Sequence, residues 1–163
     1  MFFINELQKI RNDNSGKIAV FIDMDGVVAD YRFGEGKNIE NNTPGTYLNK
    51  RPISTAINIL KEVNNAFDFD MYILSSCRHD EQAIEKSKWL EKNMQFIDKK
   101  HQLFVVSNTF EDRKKLKINK IKEIMENKYD KVIMIDDTHD ILFLAIKELG
   151  DKVIPYHVIT LFD

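Results

Sequence analysis

At 163 residues the chain is long enough for one domain with a proper hydrophobic core and too short for two ordinary ones. Its 24 basic and 26 acidic side chains nearly cancel, so nothing global argues for nucleic-acid binding; 43% hydrophobic and 31% charged residues are the balance of a soluble globular protein. No apolar run is long enough to span a bilayer, Asn5 and Glu6 interrupt the apolar start before a signal-peptide core forms, and the single cysteine, Cys77, cannot make an internal disulfide. A reducing cytoplasmic setting with no membrane partner is the expectation.

Phe2, Phe3, Leu7 and Ile10 recur at helical spacing and predict a short amphipathic helix, ended by the polar cluster Asn12 to Gly16. Ile18 to Ile22 is a continuous apolar run, the pattern of a strand covered on both faces. From Arg32 to Lys50 the glycines, asparagines and Pro44 break regular structure, so this stretch reads as a loop or small lid. Pro52 suits a first helical turn, and Ile53, Ala56, Ile57, Leu60 and Val63 follow on one face. Met71 to Leu74 is the second predicted strand, opening into Ser75, Ser76, Cys77 and Arg78. Asp80 is placed to cap a helix with the stripe Ala83, Ile84, Ser87, Trp89 and Leu90.

Leu103 to Val106 is the third strand. A basic amphipathic helix from about Asp112 to Asn127 buries Leu116, Ile121, Ile124 and Met125; its many lysines read as a solvated face. Val132 to Ile135 is the fourth strand, ending in a second acid pair, Asp136 and Asp137. Ile141 to Leu149 is a short apolar helix stopped by Gly150, and Val153 to Thr160 closes the chain as a fifth strand. The final apolar residues and the first helix pack either on the core or on a second subunit.

Strands alternating with helices predict an α/β three-layer sandwich: a mainly parallel, five-stranded Rossmann-like sheet built from right-handed crossovers. In such sheets the ligand crevice lies beyond the carboxyl ends of the strands. Asp23 and Asp25, Ser75 and Ser76, and Asp136 and Asp137 all stand at such ends. Two acids one residue apart behind a buried strand repel each other and are costly to desolvate, so they call for a cation or a reaction. Carboxylate oxygens suit Mg2+, which commonly shares its coordination with a substrate phosphate. With a lysine to neutralise phosphoryl oxygens, one aspartate can attack phosphorus while another handles the leaving-group proton. Four lysines, Lys114, Lys115, Lys117 and Lys120, lie near the start of the basic helix. On spacing alone all four stay open as that lysine.

The string Asp23-Met24-Asp25-Gly26-Val27-Val28, the strand ending in Ser75, the helix-start lysine and Asp136-Asp137-Thr138-His139-Asp140 resemble, in order and spacing, the four motifs of the haloacid dehalogenase superfamily. The match runs from Ile18 to Leu149, and DMDGVVAD resembles the 5'(3')-deoxyribonucleotidase branch with its bacterial and phage relatives. The resemblance implies Asp23 as a nucleophile forming an aspartyl-phosphate, and Asp25 as general acid then base that also gives its backbone carbonyl to Mg2+. It implies Asp136 as the second carboxylate ligand, Asp140 holding a metal-bound water or orienting the lysine, and Ser75 bonding the phosphoryl group. The motif's place for its lysine, at the helix start just ahead of Ile121, Ile124 and Met125, implies Lys117, with Lys120 and Lys115 in reserve. Asp137 supports the metal ligand, and Ser76 and Arg78 are placed to touch substrate. An acid at position 25 resembles the superfamily's phosphatases rather than its dehalogenases.

The expectation is one domain over 1–163 with a short cap insertion at 30–51, for which Tyr31, Phe33 and Tyr47 are the lid candidates. So short an insertion, and Thr138 where that branch often has arginine, depart from the nucleotidase pattern. The implied substrate is a small phosphomonoester, with a nucleoside monophosphate first. A sugar phosphate, a macromolecular phosphate end, or a non-catalytic binding module are the alternatives. His79, His101, His139 and His157 read as solvated or structural, and Cys77 as a small packed residue.

Overall fold

The computed structural model describes residues 1–31 and 44–163. Five parallel strands, β1 (Ile18–Ile22), β2 (Asp70–Cys77), β3 (Gln102–Val106), β4 (Lys131–Asp136) and β5 (Val153–His157), form one sheet in the order β3-β2-β1-β4-β5. Five helices surround it: α1 (Phe2–Asp13), α2 (Ser54–Ala66), α3 (Asp80–Asn93), α4 (Phe110–Met125) and α5 (His139–Leu149). The sheet order reverses at β1, so the crevice between the carboxyl ends of β1 and its neighbours is where a ligand is expected.

β1 is buried along its whole length because successive side chains feed two cores. Ile18, Val20 and Ile22 pack with α1, α2 and α3, through Phe3, Leu7, Leu60, Trp89 and Leu90. Ala19 and Phe21 point the other way, toward α4 and α5, against Ile118, Ile121, Ile141 and Ala145. The three-layer sandwich is thus present as expected. The N-terminal helix and the C-terminal turn both pack on this core: Val158 and Leu161 join the first cluster, and the Phe2 N–H donates to the Asp163 carbonyl at 3.0 Å.

The differences from expectation have local causes. β2 runs on to Cys77 because β3 pairs with it as far as Cys77↔Val106. β5 stops at His157, and Val158–Phe162 coils into a 3-10 turn. Pro52 sits outside α2, in an isolated bridge to Ala29; with Asp30 N–H to the Arg51 carbonyl at 2.8 Å it closes the base of the 30–51 insertion. Of that insertion, 32–43 and with it Phe33 lie outside the described residues. In α3 the buried line is Gln82, Lys86, Trp89 and Leu90, which leaves Ile84 at 56% exposure. In α4 it is Lys117, Ile118, Ile121 and Met125, and Leu116 is exposed. α4 starts earlier than expected, with Thr109 Oγ1 accepting from the Asp112 N–H at 3.2 Å. Among the described residues no helix is long and apolar enough to cross a membrane.

Candidate active site

The turn after β1 is built by one carbonyl. Met24 accepts from the N–H groups of Val27, Val28 and Ala29 at 3.3, 3.0 and 2.9 Å, which folds the chain back and leaves the Asp23 and Asp25 carboxylates at the sheet's edge. Gly26 makes this possible on two counts. Its φ of +78° is left-handed, and a Cβ there would collide with Asp137 Oδ2. The backbones of β1 and β4 are pinned together beside it by the Asp23 N–H donating to the Ile135 carbonyl at 2.9 Å.

Two electrostatic compartments meet at this turn. In the first, Lys117 Nζ lies 2.6 Å from Asp23 Oδ1 and 2.8 Å from Asp136 Oδ2. Carboxylate oxygens of Asp23, Asp136 and Asp137 come within 4.8 Å of one another, so three acids share one ammonium. Burial, opposed by Lys117 and aided by Asp136 and Asp25, pushes Asp23 up to about 7. Asp137 is raised as well, by burial and then by Asp136. Lys117 is raised despite its burial, because Asp23 and Asp136 stabilise its charge. The β4 end is braced by the Thr138 N–H donating to Asp136 Oδ1 at 2.9 Å and by His157 Nε2, 3.1 Å from the Asp137 carbonyl.

In the second compartment Asp25 is clamped between two ammonium groups, Lys50 at 2.6 Å from Oδ1 and Lys86 at 2.5 Å from Oδ2. Burial works to raise this carboxyl, but Lys86 and Lys50 outweigh it and hold it below its ordinary value. Lys86 is fully buried and also donates to Ser75 Oγ at 2.9 Å and to the Ser76 carbonyl at 2.8 Å. α3 also places Lys50. Trp89 Nε1 donates to the Lys50 carbonyl at 2.8 Å, and Glu85 accepts from the N–H groups of Gly45 and Tyr47 at 2.6 and 3.1 Å. The Tyr47 ring then lies under both ammonium groups, each 4.7 Å from its centroid.

A cavity of about 600 Å³ opens over both compartments, with Asp23, Asp25, Ser76, Arg78, Lys117 and Asp137 in its wall. Of the four candidate lysines the geometry brings only Lys117 to the acids; Lys114 pairs with Glu111 at 2.7 Å and Lys120 with Glu123 at 2.7 Å, and Lys115 is exposed. Two other expectations shift. Ser75 is wholly buried behind Lys86 and does not line the cavity, where Ser76 and Cys77 stand instead. Asp140 is 69% exposed, 3.8 Å from Lys114 and away from Lys117, which Asp136 orients in its place. Sequence reasoning missed Lys50, Lys86 and Arg113, the last of which also lines the cavity. Lys86 alone left a signal, its place on the Gln82–Trp89–Leu90 line. Burial holds the Cys77 thiol up at about 11, so it offers no nucleophile.

No protein-family model matches the sequence, and no curated protein matches it. Solved structures do match its fold. A chain of the Pnkp1/Rnl/Hen1 RNA repair complex superposes with a TM-score of 0.64 at 18% identity over 89% of this chain, which spans only 44% of that larger one. A protein described as a haloacid dehalogenase-like hydrolase from Burkholderia xenovorans gives 0.57 at 14% identity, covering 85% of this chain and 80% of its own. The class C acid phosphatase of Bacillus anthracis gives 0.59 at 15% identity, covering 99% and 78%. With the five-stranded parallel sheet, its strand order and these superpositions together, the chain has the haloacid dehalogenase-like α/β fold.

Proposed function

We propose that this chain is a Mg2+-dependent phosphomonoester hydrolase working through an aspartyl-phosphate on Asp23, as one domain over 1–163 with a short insertion at 30–51. The observation that carries the reading is the opposite treatment of two carboxylates one residue apart: Asp23 sits in an excess of negative charge, Asp25 in an excess of positive charge. Neighbouring titratable groups driven apart in this way are the usual mark of divided catalytic roles.

Three carboxylates against one ammonium leave room for a hard divalent cation, and an all-oxygen donor set fits Mg2+. Asp23 and Asp136 would hold it, with Asp137 beside them and the Asp25 backbone carbonyl as a further ligand. Bound there, it would neutralise carboxylate and phosphoryl charge. In the first step an Asp23 oxygen bonds to phosphorus as the ester P–O bond breaks, and the leaving oxygen takes a proton from Asp25. In the second, water bonds to phosphorus, Asp25 takes its proton, and the bond to Asp23 breaks to release phosphate. Lys117 holds Asp23 in line and balances the incoming charge. Lys86 and Lys50 keep Asp25 ionised in the free site, so the proton it delivers enters with the monoanionic ester. Lys117 and the Ser76 segment line the cavity where the phosphoryl oxygens would lie.

Nucleoside monophosphates are the first substrate class, supported by the aromatic rings of Tyr31, Tyr47 and Phe110 in the cavity wall and by a volume within the range of small-molecule sites. The fold neighbour from an RNA repair complex makes phosphate-ended RNA the second. Phosphate release from nucleotides, sugar phosphates and phosphate-ended oligonucleotides, with and without Mg2+, tests the reading. Lack of Mg2+-dependent release across that panel would leave the chain a binding module.

A further inference from the structure

Four arginines lie among the described residues, and they divide into two kinds. Arg11 and Arg51 each pair with an aspartate, Asp68 and Asp30, at 3.2 Å. Arg78 and Arg113 have no carboxylate partner among the described residues, and both line the cavity that holds Asp23 and Asp25. Both are only partly exposed. Arg113 is tied by Nη1 to the Ser107 carbonyl at 2.8 Å, and the Arg78 backbone N–H donates to the buried Gln82 Oε1, also at 2.8 Å. Burial first, and then the charge of Arg78, hold the Arg113 guanidinium below its ordinary value, so the two cations feel each other. Two partly buried guanidinium groups in one cavity wall, with no carboxylate partner among the described residues, are an arrangement that an anionic ligand would complete.

Their place is not that of the phosphate under attack. That phosphate belongs beside Asp23 and Lys117. Arg113 lies one helical turn before Lys117 on α4, about 6 Å further toward the helix start at the mouth of the crevice. Arg78 follows β2, on the side of the sheet away from the Asp136 and Asp137 strand. The cavity therefore runs from the acid cluster to a separate cationic end.

We propose that Arg78 and Arg113 form a subsite for a second phosphate group on the substrate, so that the preferred substrates carry two phosphates. The inference rests on the phosphohydrolase reading of the same cavity, and it names a substrate class within it. A planar, permanently charged fork is the side chain best shaped to take two phosphate oxygens at once. The second phosphate has two possible sources, a terminal phosphate on a small bisphosphate or the internucleotide diester of a polymer end.

The test uses the Asp23→Asn protein, which holds substrates without consuming them, and titration calorimetry in Mg2+. The probes are adenosine 5'-monophosphate, adenosine 3',5'-bisphosphate and a 5'-phosphorylated dinucleotide. At least one of the latter two is expected to bind about 10- to 100-fold more tightly than the monophosphate, the value of one or two charge-assisted hydrogen bonds. Gain with the bisphosphate alone identifies small bisphosphates, and gain with the dinucleotide identifies polymer ends. Adding Arg78→Gln or Arg113→Gln should erase most of that advantage while weakening the monophosphate far less. Equal affinity for all three probes, or an advantage that survives both arginine substitutions, overturns the proposal. Failure of the broader reading is separate, since it shows as absent Mg2+-dependent turnover of p-nitrophenyl phosphate by the wild type.

Discussion

Lys86→Met removes an ammonium that no solvent reaches and that serves three acceptors: Asp25 Oδ2 at 2.5 Å, Ser75 Oγ at 2.9 Å and the Ser76 carbonyl at 2.8 Å. Methionine fills much the same volume, so the loss is electrostatic. Asp25 keeps only Lys50, and breaking one side of a buried pair costs about 3–5 kcal/mol. The expected result in urea unfolding followed by circular dichroism is a destabilisation of that size at pH 7. The sign with pH follows from Asp25, whose folded value lies below its ordinary 3.8. Its contribution is present above 3.8 and lost as pH falls through the folded value, so the wild-type advantage over Lys86→Met shrinks in acid. In an Asp25→Asn background the methionine orphans no carboxylate, and the double-mutant cycle should show coupling of about 2–3 kcal/mol. A stability loss under about 1 kcal/mol, or additive single and double mutants, would refute the reasoning.

The site sets four other outcomes. Because Asp23 stands at about 7 without metal, Mg2+ must displace its proton, so the affinity read from thermal shifts should fall about tenfold from pH 8 to pH 6, and Asp136→Asn should abolish the shift. In the metal-free protein the sign is reversed: a folded value raised above 3.8 favours the fold in acid, and that contribution is lost as pH rises through 7. Gly26→Ala meets both a left-handed φ and Asp137 Oδ2, and should cost about 1–3 kcal/mol in unfolding while weakening Mg2+ binding. Cys77, buried with its thiol at about 11, should resist a thiol reagent in the native protein and react only on unfolding, with turnover unchanged by Cys77→Ala.

The layers of this fold were legible because β1, β2 and β4 carry unbroken apolar runs, and a run that ends in acids marks the strand's carboxyl end without any knowledge of its partners. Asp23, Asp25, Asp136 and Asp137 therefore came directly from the pattern. Lys86 did not, since periodicity counts lysine as solvent-facing; Gln82 and Lys86 hold two places on the buried line of α3, and the apolar residues alone point to a stripe one position around, through Ile84. By its apolar run alone β2 ends at Leu74, with Ser75 the first residue past it. Pairing with β3 carries β2 three residues beyond Leu74, and alternation then buries Ser75 and turns Ser76 to the cavity. Lys50 reaches Asp25 only through tertiary contacts, the Trp89 indole on its carbonyl and the Glu85 grip on Gly45 and Tyr47, which no local pattern encodes.

The most direct measurement of the central claim is phosphate release from p-nitrophenyl phosphate, in Mg2+ and in EDTA, by wild type and by Asp23→Asn. If Asp23 carries the phosphoryl group, wild type turns over only with Mg2+, and Asp23→Asn loses at least about 10³-fold in kcat while keeping its fold. Equal rates for the two proteins, or wild-type turnover that persists in EDTA, would contradict the account.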